Sequence, residues 1–153
     1  MTRFTAQNRS AATLKSPRED IWDALTDPGL LPKLTPYLHR IDVDGDRWTW
    51  KVARIPLLGK SIGTTFTEVM TFEEPHRIGF AHDPERTEEH TAVEGEYLLE
   101  EAGRGTRVSI DLRVSVDLPF AKVTRPAVEG GMHAVMALMG RRFASNLLRH
   151  LRE

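Results

Sequence analysis

Cysteine is absent from this 153-residue chain. Its absence excludes disulfides, thiolate catalysis and Cys-ligated zinc. A surplus of charge is absent too: 21 Lys and Arg stand against 22 Asp and Glu, a formal net charge of −1. Neither a strongly basic nucleic-acid binder nor a polybasic membrane anchor fits that balance, although a small local patch does. No run approaches the 18 or so apolar residues of a membrane span. The first eight residues carry no apolar signal region, so a soluble cytoplasmic protein without integral membrane association is expected. Aromatics are few, with 3 Trp, 2 Tyr and 6 Phe, so most must serve the core. Internal repeats, low-complexity tracts and linkers are missing, and the length suits one domain spanning 1–153.

What is present is a run of strand signals closed by one helical segment. Phe4 to Lys15 alternates weakly and reads as a strand. Ser16-Pro17-Arg18-Glu19 then looks like a helix start, with Ser16 as cap, Pro17 in the first turn and Glu19 completing a capping box. Asp27-Pro28 ends that helix and opens a second short one through Leu34. Strands follow over Leu38–Val43, Arg47–Ala53, Ile62–Phe72, Arg77–His82, Thr91–Glu101 and Thr106–Val116. In Ile62–Phe72 the bulky even positions should face inward and the threonines outward. Beyond Pro119 the period becomes helical. A helix from Pro126 to Leu151 would be about 37 Å long, more than twice the ~15 Å radius of gyration, and would cross the whole molecule. Its apolar stripe runs through Val128, Met132, Val135, Met139, Phe143, Leu147 and Leu151.

Short connections between strands imply an antiparallel sheet. Its apolar face is most simply buried by curling around the final helix. The expected class is therefore α+β: a curved antiparallel sheet of about seven strands gripping a long C-terminal helix, with two short helices after the first strand. Several stretches carry a family resemblance: Ser16 to Pro28, Gly63-Thr64-Thr65-Phe66, Glu74-Pro75-His76-Arg77-Ile78 and Gly105-Thr106-Arg107-Val108. With the terminal amphipathic helix, they make the chain resemble the START-like, Bet v 1-like helix-grip superfamily (SRPBCC), within it the bacterial polyketide cyclase/dehydrase and lipid-transport group. The resemblance implies a hydrophobic cavity. It transfers no catalytic motif, because the matching residues are turns, caps and core.

The residues themselves suggest a site. Glu68 is the one ionisable group on the bulky face of its strand. If Phe72 pairs with Ile78, then Met70 faces Phe80 and Glu68 faces His82, an acid–imidazole couple able to move a proton. The alternatives are a water-exposed rim or a structural ion pair, and a one-residue slip removes the couple altogether. Trp48, Trp50, Phe66, Met70, Phe80, Tyr97 and Ile110 could line a cavity from the sheet side. Met132, Met136 and Met139 could floor it from the helix, since methionine adapts to varied ligands. Each is also an ordinary core residue. Gly130-Gly131 admits a kink, close strand packing or room for ligand. Asp83 to His90 is acidic and polar, either a solvated loop or a lid. Gly59-Lys60-Ser61-Ile62-Gly63 mimics a nucleophile elbow, but the elbow needs a helix after it and a strand follows here. Six histidines occur without metal-ligand spacing, so neither a metal nor a cofactor is implied.

Three functions fit. The first is binding of a small hydrophobic or aromatic ligand (lipid, polyketide or quinone-like). The second is a cyclase/dehydratase-type enzyme using Glu68 and His82. The third is a protein-interaction accessory domain with a collapsed cavity. Homodimerisation is compatible with all three.

Overall fold

The computed structural model describes residues 1–153 throughout. Strand β1 (Thr2–Leu14) precedes helices α1 (Arg18–Leu25) and α2 (Leu31–Leu34). Then come β2 (Leu38–Asp44), β3 (Arg47–Leu57), β4 (Lys60–Glu73), β5 (Arg77–His82), β6 (Thr91–Ala102) and β7 (Gly105–Leu118). A single 3-10 turn, Lys122–Thr124, leads into α3 (Arg125–His150). All seven strands form one antiparallel sheet in the order β1-β7-β6-β5-β4-β3-β2, wrapped around α3. The helix-grip arrangement expected from the pattern is thus present.

Sequence chemistry explains most of this. Asp44-Gly45-Asp46 turns β2 into β3, with Gly45 at φ 61°. Residues Ile21, Trp22, Ala24 and Leu25 bury one face of α1 against the sheet. Gly95 on β6 is opposite Leu112 on β7, where the backbones approach so closely that a Cβ would lie 1.9 Å from the Asp111 carbonyl oxygen. Only glycine fits there.

Three local expectations need correction. Ser16 does not cap α1: its Oγ donates to Glu153 at 2.6 Å, its amide donates there at 3.1 Å, and Pro17 takes the flanking position without a side-chain cap. A charge-assisted bond to a carboxylate outcompetes a neutral cap bond. Glu19 is exposed and completes no box. Phe72 faces inward but is not buried. It is 42% exposed at the rim, its ring 6.2 Å from Trp22 and 5.8 Å from Trp48. The threonine face of β4 is not uniformly outward: Thr67 is fully buried beneath the segment 83–90.

Two apolar clusters make the core. The larger joins α1 and α2 to Trp48, Val52, Met70, Ile78, Phe80, Val93, Leu99 and Leu147. The smaller joins Phe4, Ala6, Leu57, Val116 and Leu118 to Val128 and Met132. The clusters therefore grip α3 near its two ends, Leu147 in one and Val128 with Met132 in the other.

Candidate ligand-binding site

The middle of α3 differs from its ends. Val128, Met132 and Leu147 are buried, whereas every apolar residue from Val135 to Phe143 keeps accessible surface. Met139 is the most telling. It is seven residues from Met132 and eight from Leu147, so it shares their helix face. It should be buried if that face were packed throughout, yet it is only half-buried and joins neither cluster. The backbone of α3 closes chiefly on β1 and β3, strands at or next to opposite edges of the sheet. The helix thus spans the curl like a bar, and only side chains connect its middle to the central strands.

The inner face of the sheet carries Trp50, Phe66 and Tyr97, all part-exposed although packed on the larger cluster. Trp50 and Phe66 are opposite one another on β3 and β4, with their rings 6.0 Å apart and nearly parallel. Phe80 and Tyr97 follow, 6.2 Å apart. Trp48, Met70 and Phe80 are buried in the larger cluster, and Met132 in the smaller, so these four are primarily core. Met136 is part-exposed against the smaller cluster. Ile110 has the same strand orientation as Val108 and Leu112, but it joins neither cluster and borders a shallow 470 Å³ depression beside β1. Of the two helix glycines, Gly131 meets the close approach of the β3–β4 hairpin: a Cβ there would lie 2.7 Å from Leu57 Cδ1, while Gly130 faces open space.

Polar groups inside this apolar surround are few. Glu68 is 3% exposed. Burial pushes its carboxyl well above the usual range, only partly opposed by the neighbouring Trp50 indole N–H. That N–H is itself buried and falls short of completing a hydrogen bond. Burial also raises the Tyr97 phenol, with the Glu68 charge adding to the rise. Glu68 therefore keeps its proton at pH values where an ordinary carboxyl has lost it, and Tyr97 remains a phenol.

Glu68 and His82 are register partners, as the hairpin pattern predicts. Their side chains do not form the expected couple. His82 Nε2 is 3.2 Å from the Arg86 carbonyl oxygen, and its Nδ1 is 3.9 Å from Glu89 Oε1. The segment 83–90 draws the imidazole away because it provides both an acceptor and an acid. It is also more than a solvated loop. Asp83 is fully buried, 3.4 Å from Arg47 Nε, and Glu89 accepts both the amide (2.7 Å) and the hydroxyl (2.8 Å) of Thr67. Thr49 extends this chain to Thr67 at 3.0 Å.

Strand β5 ends at His82 and β6 begins at Thr91, so the first half of β4 has no β5 partner. A cleft of about 1000 Å³ opens there, lined by Thr49, Lys51, Thr65, Glu89 and His90 and by none of Trp50, Phe66, Glu68, Tyr97 or Met139. The pinned segment 83–90 forms one wall of it.

The sequence over residues 1–151 matches the model of the family described as polyketide cyclase / dehydrase and lipid transport. The chain belongs to that family. Solved structures agree on the fold of this family member. A conserved protein from Geobacillus kaustophilus is 17% identical, with 95% of each chain covered and a TM-score of 0.74. A protein from Deinococcus radiodurans is 24% identical, with 96% of this chain and 95% of that one covered and a TM-score of 0.60. The Zhui aromatase/cyclase from a Streptomyces species is 12% identical, with 95% and 93% covered and a TM-score of 0.66. At such identities the likeness speaks for fold alone. A search of curated proteins gives no sequence match. No helix in the family member described here is long and apolar enough to cross a membrane.

Proposed function

We propose that the protein binds a small hydrophobic or aromatic molecule, lipid-, polyketide- or quinone-like, in the hollow between the sheet and the middle of α3. The observation that carries this reading is the half-buried Met139 between the buried Met132 and Leu147 on one helix face. A ligand burying about 300 Å² of apolar surface there would gain roughly 7 kcal/mol before association costs. Glu68, Tyr97 and the Trp50 N–H would orient it. Gentle purification followed by native mass spectrometry tests the reading. A stoichiometric apolar adduct is expected, and protein that stays empty when offered lipid, quinone and polyketide extracts contradicts it.

Glu68 also supports a second reading, a cyclase/dehydratase-type enzyme. A protonated carboxyl in an apolar surround is a general acid, and deprotonated it becomes a strengthened base. His82 would act there only after release from Arg86 and Glu89. In this reading Glu68→Gln abolishes turnover of a polyketone while leaving its binding within a few-fold. An unchanged rate removes Glu68 from the mechanism.

A further inference from the structure

The β3–β4 hairpin ends in a two-residue loop, Leu58-Gly59, with Leu57 and Lys60 as its closing pair. Both loop residues have positive φ, 49° and 77°. That conformation suits Asn, Asp or Gly, and a leucine there is disfavoured by its own backbone. Leu58 keeps 49% of its surface exposed, so burial offsets that cost only in part. Folding alone therefore accounts poorly for an aliphatic side chain at this position. Beside this tip runs the connection from β7 to α3, marked by the Lys60 Nζ 5.6 Å from the Phe120 ring centre. That connection presents Val123, 86% exposed. Two aliphatic side chains thus stand in water at one end of the molecule.

The charge around them is of one sign. No acidic residue occurs in 53–67 or in 118–128, while Arg54, Lys60, Lys122 and Arg125 do. The nearest acids are engaged: Asp117 lies 3.5 Å from Arg3 and 3.8 Å from His90, and Glu129 lies 3.2 Å from Arg125. Arg54, Lys60 and Lys122 have no ion-pair partner.

We propose that this end of the molecule, Leu58 and Val123 ringed by Arg54, Lys60 and Lys122, docks on an anionic phospholipid surface. The aliphatic tips enter the headgroup boundary and the cations meet lipid phosphates. Nucleic acid fits less well, because aliphatic tips give bases nothing to stack on. The docking is weak and sensitive to salt, since only three cations contribute. It does not depend on the ligand reading, because it is measured on the protein alone.

Vesicle co-sedimentation tests it. The full chain is mixed with vesicles of pure phosphatidylcholine, or of phosphatidylcholine with about one third phosphatidylglycerol. Binding to the anionic vesicles only is expected. Leu58→Asn lowers the partition coefficient by about tenfold and leaves Tm unchanged or higher, because asparagine tolerates the positive φ. Val123→Glu and the double variant Lys60→Glu/Lys122→Glu lower it at least as much. No binding to anionic vesicles overturns the proposal. So does binding that Leu58→Asn and Val123→Glu leave intact, or equal affinity for short nucleic acids of the same charge.

Discussion

Glu68 and His82 face one another across the β4–β5 ladder, yet the acid is buried among aromatics and the imidazole is held by the segment that follows it. Backbone register placed them together; side-chain partners separated them. Burial therefore raises the proton affinity of the acid with no counter-charge to oppose it.

Glu68 has its pKa raised by burial. A carboxyl raised in the folded state binds its proton more tightly there than in the unfolded chain. Its effect is neutral below the unfolded value of about 4.3 and increasingly destabilising as pH rises from there toward the folded value. Glu68→Gln should therefore stabilise the protein at pH 8 by on the order of 1–2 kcal/mol, or roughly 2–8 °C in Tm. The gain should shrink toward pH 4. Thermal melts of both proteins across that range check it, and a gain that grows on acidification contradicts the assignment.

The segment 83–90 is pinned through Glu89. Glu89→Ala leaves the buried Thr67 amide without its acceptor and the hydroxyl with Thr49 alone, and should cost about 1–3 kcal/mol. Amide exchange in 83–90 should accelerate well beyond that in α1. Equal acceleration everywhere would show that Glu89 supports global stability rather than this segment.

Gly95→Ala places a methyl carbon against the Asp111 carbonyl, where both neighbours are backbone and cannot rotate away. A loss of about 3 kcal/mol or more is expected, read as a lower Tm or as insoluble protein. A tolerated alanine would mean that the β6–β7 approach is looser than described.

Much of the architecture was legible because period and punctuation agree. Arg77–His82 and the alternating β7 follow their patterns, and α3 begins one residue before its expected start. Ser16 was misread because its partner, Glu153, is remote in sequence: no local rule foresees it. Phe72 was misread because alternation gives a face and not the point where that face meets water. The site was legible in part. Strand parity placed Glu68 inward and paired it with His82. It could not show which way the imidazole turns, nor single out Asp83 and Glu89 among the acids of a loop that looks uniformly solvated. Whether Met139 meets a packed core or a hollow depends on the distance between helix and sheet, which composition does not encode.

That distance can be probed with one substitution. A neutral naphthyl fluorophore, N-phenyl-1-naphthylamine, is titrated into the wild-type protein and into Met139→Trp, with Tm recorded for each. If the hollow exists, the wild type binds the probe saturably. The added indole fills the space, weakens binding by about tenfold or more and leaves Tm within roughly 3 °C, because nothing is overpacked. A wild type that binds no probe, or a variant that loses its fold while the wild type stays empty, would mean that helix and sheet are already packed solid.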